Sequence, residues 1–411
     1  MTHNTSNSQL DIGPPLDGHY VRGRVSVIIP TFNYGNFLLD AVQSAFRQRV
    51  RDLEIIVVDD GSTDQTPEIL GPYRKRLKYI YQKNAGLSAA RNTGMAHSTG
   101  EFILFLDADD VLGPNSIALH LRHLDRHPDI YIVVCRSRFF KDTTSSGHPI
   151  CYDSRKIPQG NLDLHICYSN IAPPHAFLCR RQAITETGWF DTQLKACEDY
   201  DFWLRAAVKG FVPHCNPLPL VYYRRHEKSM SADRLNQYCH DAILHKRLSA
   251  LLHQFPEYPS GRRLEGLMAF SAGALLTAAR LYAHQVEGTQ DLLEVVFKVT
   301  QEARERALSG KSDWNIFMKL YCFKIFSFLV LPCFSDFSIA GPIRSNLKDV
   351  LAAVKAPPSR IDLLADAFRS SLSGPHRYLW ERWQLAKLSI KYLRNRFLPF
   401  GRFLKVCEPV S

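Results

Sequence analysis

The 411-residue sequence carries ten cysteines but no Cys-x-x-Cys pair, and the thiols at 135, 151, 167, 179, 197, 215, 239, 322, 333 and 407 are scattered. That spacing excludes a zinc ribbon and fits reduced, buried thiols of a cytoplasmic protein better than a disulfide framework. Zinc-finger, homeodomain and RNP-type signatures are missing, so nucleic acid is not an expected partner. No apolar run approaches the roughly 20 residues that a membrane-spanning helix needs. The richest stretch, 314–334, is broken by Asn315, Lys319, Lys324 and Pro332. The polar first 22 residues, with Gly13-Pro14-Pro15 and no apolar segment, predict a disordered tail over 1–23 without a signal peptide. No internal repeat is visible. What is there is an ordinary globular composition, 45% hydrophobic and 22% charged, long enough for two domains. A net charge of +11 favours polyanionic partners such as nucleoside diphosphates or anionic lipid.

Two acidic clusters each follow an apolar run. Leu53–Val58 leads into Asp59-Asp60-Gly61-Ser62-Thr63-Asp64, and Phe102–Leu106 leads into Asp107-Ala108-Asp109-Asp110. Such runs predict buried strands opening into turns. From 24 to about 134, strand and helix signals alternate, which predicts an α/β fold with a mostly parallel sheet covered by helices on both faces. Ligands bind at the carboxyl ends of strands in such sheets. Five carboxylates would then gather at one rim and repel one another unless a divalent cation joined them to a phosphorylated ligand. A single Asp at a strand end is more simply a cap, and Asp64 is expected to be one. Residues 135–170 are polar and predict an irregular excursion. Strand signals return at 176–179 and 218–223, and a helix is expected from Glu198 to Gly210. A boundary between 232 and 240 divides domains at 24–235 and 236–411, the second helical.

The ordered motifs Val27-Ile28-Ile29-Pro30-Thr31-Phe32-Asn33, Val58–Asp64, Asn84-Ala85-Gly86-Leu87-Ser88-Ala89-Ala90-Arg91-Asn92 and Leu106–Asp110 resemble those of the inverting family 2 glycosyltransferases of the GT-A fold. The resemblance covers roughly 24–231. It implies a nucleotide-sugar donor, foremost a UDP-sugar, and Mn²⁺ or Mg²⁺ to neutralise the departing diphosphate. It places the metal on Asp109, with His226 as a second ligand or phosphate contact, and Asp107 at the ribose or a metal-bound water. Pro30, Thr31, Asn33, Asp59 and Asp60 would hold base and ribose, with Arg91 close to the donor. Inversion needs a carboxylate to take the acceptor proton, and Asp199 of Glu198-Asp199-Tyr200-Asp201 matches the family's base. Asp201 is the competing residue. Phe202, Trp203 and Leu204 are expected in the core, and Trp189 is a candidate sugar platform.

The processive members' Gln-x-x-Arg-Trp is missing, since position 379 before Arg382-Trp383 is Leu. The resemblance therefore implies transfer of one sugar to a saccharide or lipid-linked acceptor in cell-surface polysaccharide or glycoconjugate synthesis. The tail 381–411 has seven basic side chains against two acidic. Together with 314–334 it predicts peripheral contact with the inner face of a membrane. Two other classes compete. A non-catalytic sugar-nucleotide-binding scaffold would have no use for Asp199. A nucleotidyltransferase would need a Gly-rich basic loop where this chain has Pro-Thr-Phe-Asn.

Overall fold

The computed structural model describes residues 20–143, 149–155, 157–227, 229–259, 261–309 and 337–353. The segments 314–334 and 381–411, to which membrane contact was assigned, lie outside them, as does most of the expected N-terminal tail.

Strand β1 (Val21–Thr31) starts inside that expected tail and pairs in parallel with β2 (Leu53–Asp59) and β4 (Gly100–Phe105). β3 (Lys78–Tyr81) extends the parallel half beside β2. The buried positions of β1, β2 and β4 are mostly Val, Ile, Leu and Phe on both faces, as a sheet covered by helices requires. α1 (Gly35–Phe46), the short α2 (Thr66–Leu70) and α3 (Leu87–Ala96) connect them. Gly94 shows how closely α3 lies on the sheet, because a Cβ there would stand 2.2 Å from Ile28 Cγ2.

Beyond β4 the sheet becomes mixed. Its order is β3-β2-β1-β4-β9-β6-β10-β5, with β7 beside β6 and β8 beside β10. β9 (Phe177–Arg180) runs antiparallel to both β4 and β6 (Ile132–Thr143), and β10 (His214–Arg224) runs parallel to β6. β5 (Val111–Leu112) pairs antiparallel with β10, and α4 (Ser116–Arg126) follows it.

The expected irregular excursion at 135–170 is corrected. β6 continues to Thr143 and forms an antiparallel pair with β7 (Pro149–Arg155). β8 (Gly160–Asn161) and α5 (Asp163–Tyr168) come next. In β6 the exposed Arg136 and Arg138 flank the buried Ser137, so a true two-residue alternation has a polar residue on its buried face. That substitution hides the strand from an apolarity pattern. α6 (Arg181–Thr187) and α7 (Glu198–Val208) then complete this half, with Phe202, Trp203 and Leu204 in the core and Trp203 stacked on Phe177 at 4.0 Å.

α8 (Arg234–Gln254) opens the helical region, followed by α9 (Arg263–Ala283), α10 (Thr289–Leu308) and α11 (Ala340–Ala353). α9 is flanked by α5, α8 and α10. Among the described residues it is the one helix long and apolar enough to cross a membrane, with mean hydropathy 1.3, yet 72% of that apolar window is buried inside the protein. It is the core helix of this region. One continuous apolar core runs through both halves.

Candidate active site

The rim is built where β1, β2 and β4 end together. Thr31 pairs with Asp59 and Ile28 with Phe105, so the loops after all three strands emerge at one level. Asn33 takes a left-handed backbone (φ 57°), and its Oδ1 accepts from the Thr63 amide at 2.8 Å, tying the β1 and β2 loops together. Asp64 caps twice, accepting from the Thr66 amide and, through its other oxygen, from the Gly35 amide at the start of α1, both at 3.0 Å. The Thr31 hydroxyl is buried without a hydrogen-bond partner. Pro30 is buried opposite Val58.

Asp59 and Asp60 are engaged in holding loops. Asp59 is 0% exposed and accepts from the Ser62 amide (2.8 Å) and the Tyr79 hydroxyl (2.6 Å). Asp60 accepts from Gln82 Nε2 (2.7 Å) and from the Ala85 and Gly86 amides (2.9 and 2.8 Å). It thereby holds the turn in which Gly86 adopts φ +93°, a conformation suited to glycine.

The second cluster is different. The chain leaves β4 through a turn closed by the Asp110 amide on the Asp107 carbonyl. Asp107 receives Arg91 Nη2 at 2.7 Å, Asp109 Oδ2 lies 2.9 Å from His226 Nε2, and Asp110 Oδ2 lies 3.0 Å from His175 Nδ1. Asp107 and Asp109 keep 22% and 17% of their side chains exposed, whereas Asp110 and His175 are fully enclosed. Burial pushes the Asp110 carboxyl up, and although burial lowers the His175 imidazole, the Asp110 charge and contact outweigh it and leave it raised. One ligand atom each from Asp107, Asp110 and His175 lies within 4.8 Å of the others. Arg224 fixes this turn from β10. Its amide donates to Asp110, its Nε to the Asp109 carbonyl and its Nη2 to Asp40, at 2.7, 2.7 and 2.6 Å.

Arg91 is 1% exposed and reaches in the other direction as well, donating to Glu198 Oε1 at 2.5 Å. It joins the Asp107 turn to the first turn of α7, so its position is that of a brace. The next residue, Asp199, is half-buried and accepts from Asn170 Nδ2 (3.0 Å) and the Tyr200 amide (2.7 Å). Burial first, then the neighbouring Glu198 charge, pushes its carboxyl up to about 7, while Arg91 and Asn170 pull against that rise. Asp201 is held by Arg205 Nε at 2.8 Å and Arg247 Nη1 at 3.3 Å. Trp189 is half-buried against the core.

The structure thus brings Arg91, Asp107, Asp109, Asp199 and His226 into one neighbourhood through β4, α3, α7 and the end of β10. Sequence reasoning missed His175 and Asn170. His175 sits on the 3₁₀ turn Pro174–Ala176 before β9, where only the Pro173-Pro174 pair marks an unusual backbone. Asn170 has no local signal.

The model of glycosyl transferase family 2 matches residues 26–188, ending before Asp199. An uncharacterised glycosyltransferase of Rickettsia prowazekii is 31% identical over 184 residues, 44% of this chain and 58% of that protein. One from Rickettsia typhi is 30% identical over 216 residues, 52% of this chain and 67% of the relative. The chain thus spans a little over half of the first relative's length and two thirds of the second's. Among solved structures, residues 1–349 of Staphylococcus aureus TarS superpose with a TM-score of 0.54 at 18% identity, covering 81% of this chain and 90% of that one. That likeness is one of fold. With the family model on the strands that build the rim and a relative 30% identical of which the chain covers two thirds, the chain belongs to glycosyl transferase family 2.

Proposed function

We propose that the protein is a metal-dependent inverting glycosyltransferase that moves one sugar from a UDP-sugar to an acceptor hydroxyl in cell-surface polysaccharide or glycoconjugate synthesis. The observation that carries this reading is Asp199. A half-buried carboxylate whose proton affinity is raised toward neutrality suits a general base, provided it can reach the acceptor. The Glu198–Arg91–Asp107 bridge sets it at a fixed distance from the acidic turn. Asp201, spent on two arginines, is the weaker alternative.

In this reading the donor lies over the β1 and β2 loops. Asn33 and the Asp59–Asp60 turn shape its floor, and the orphaned Thr31 hydroxyl offers a hydrogen bond to base or ribose. The donor set at the acidic turn fits a divalent cation. Asp109 and His226 are already within 2.9 Å of each other, and carboxylate with imidazole suits Mn²⁺ or Mg²⁺, the former better. Asp109 and His226 would hold the ion, which supplies charge neutralisation for the departing diphosphate. Asp199 takes the acceptor hydroxyl proton as that oxygen attacks the anomeric carbon, and a single displacement inverts it. TarS has been crystallised with UDP-GlcNAc, which supports a UDP-linked donor for this chain without selecting the sugar. The basic tail supports work at the anionic inner face of a membrane, with a saccharide or lipid-linked acceptor.

The test is turnover of a panel of UDP-, GDP- and dTDP-sugars, with the anomeric configuration of the product read by NMR. Inverted product from a UDP-sugar is expected. Retained configuration would overturn the mechanism.

A further inference from the structure

β10 has two ends. Arg224 at its carboxyl end braces the acidic turn, while His214 at its start lies ten residues back, on the order of 30 Å away for an extended strand. There His214 meets the end of α4, which carries His120 and His123 and is followed by His127 as its C-cap. His123 Nε2 lies 3.2 Å from His214 Nδ1. The rings of His123 and His127 are 4.7 Å apart by centroid, His123 and His214 are 5.3 Å apart, and His127 and His214 are 6.3 Å apart.

We propose that His123, His127 and His214 form a binding site for a borderline transition-metal dication of the Zn²⁺ class, separate from the catalytic rim. Two nitrogens held by one tetrahedral zinc at 2.0–2.1 Å stand about 3.3 Å apart, the separation found between His123 and His214. His127 closes α4 as its C-cap, its amide donating to the His123 carbonyl at 3.1 Å, and its ring stands 4.7 Å from that of His123. His127 is exposed at the helix end, so its ring is free to turn toward the pair.

A second observation points the same way. His120, one turn earlier on α4, is 0% exposed with neither ring nitrogen hydrogen-bonded. An ion here would fasten the end of α4 to the start of β10, the strand whose far end positions Asp109 and Asp110.

The experiment is calorimetric titration of Zn²⁺ into tag-free full-length protein with Mg²⁺ in excess to occupy the oxygen-rich rim, and Co²⁺ as a spectroscopic probe. One saturable equivalent is expected, with Co²⁺ d–d bands of a nitrogen-rich tetrahedral site. His127→Gln, at an exposed position that leaves packing intact, should weaken binding roughly tenfold or more. His123→Ala should abolish it, with circular dichroism reporting the fold, and Asp109→Asn should leave it unchanged. No saturable binding by the wild type, or equal binding by wild type and His127→Gln, would reduce the cluster to a hydrogen-bonded ring stack. Thiolate charge-transfer absorption, or loss of the site in Asp109→Asn, would move the ion elsewhere and overturn the proposal.

Discussion

Asp59-Asp60 after β2 and Asp107–Asp110 after β4 occupy equivalent places in the parallel half, yet different groups satisfy them. The first pair is met by neutral donors: backbone amides, a phenol and a carboxamide. The second cluster is met by an arginine and two imidazoles, and two of its three carboxylates keep an open edge. Amide donors hold a carboxylate in place and set a loop's shape. Cationic and imidazole partners can be traded for a metal ion or a phosphate, because each is itself a mobile charge or a ligand. Burial and partners thus separate two motifs that look alike in sequence into one whose carboxylates hold loops and one that keeps two carboxylates partly open.

Substitutions in each cluster should therefore fail in different ways. Asp109→Ala should lose turnover by on the order of 10³-fold or more, the effect of several kcal/mol of lost charge stabilisation, while thermal stability changes little. Full activity of the wild type in excess EDTA would break the distinction at once. Asp199→Asn should cost 10²–10⁴-fold in kcat, roughly 3–5 kcal/mol, with nucleoside diphosphate affinity retained. If Asp201→Asn is dead while Asp199→Asn is active, the base is Asp201.

pH sharpens the contrast. A base must be ionised, so kcat/KM should rise with pH through the region around 7. For stability the sign reverses. The folded state holds the Asp199 proton more tightly than the unfolded chain, so the stabilisation it provides at low pH is lost as pH rises toward and past about 7. Asp199→Asn should then melt higher than wild type at pH 8 and show no such advantage at pH 4. Equal melting at both values would mean that the Asp199 environment is more watery than its contacts imply.

The smallest effect is expected at Asp60. Asp60→Asn presents an amide group toward the Ala85 and Gly86 N–H groups and should cost about 1–3 kcal/mol in chemical denaturation. The remaining folded protein should turn over at close to the wild-type rate. A Michaelis constant for donor raised far beyond the stability change would instead make Asp60 a direct donor contact.

Most of the parallel half was legible because its signals are local. Val25–Ile29, Leu53–Val58 and Phe102–Leu106 are apolar runs ended by turn residues, and each is a strand. The irregular reading of 135–170 failed because Ser137 takes a buried position in β6. His175 and Asn170 stayed hidden for another reason, since each acts through a partner distant in the chain.

By itself, the sequence determined the strands and helices of the parallel half, that acidic turns follow β2 and β4, and that Glu198-Asp199 opens a helix. These follow from side-chain periodicity and turn chemistry within a few residues. Only the tertiary structure decided which acids remain accessible, that Arg91 joins Asp107 to a Glu198 lying 107 positions beyond Arg91, and that Asp201 is paired with Arg205 and Arg247 while Asp199 accepts from Asn170. Those outcomes depend on burial and on distances between elements far apart in the chain, and both are set by how the sheet, α7 and α8 pack together.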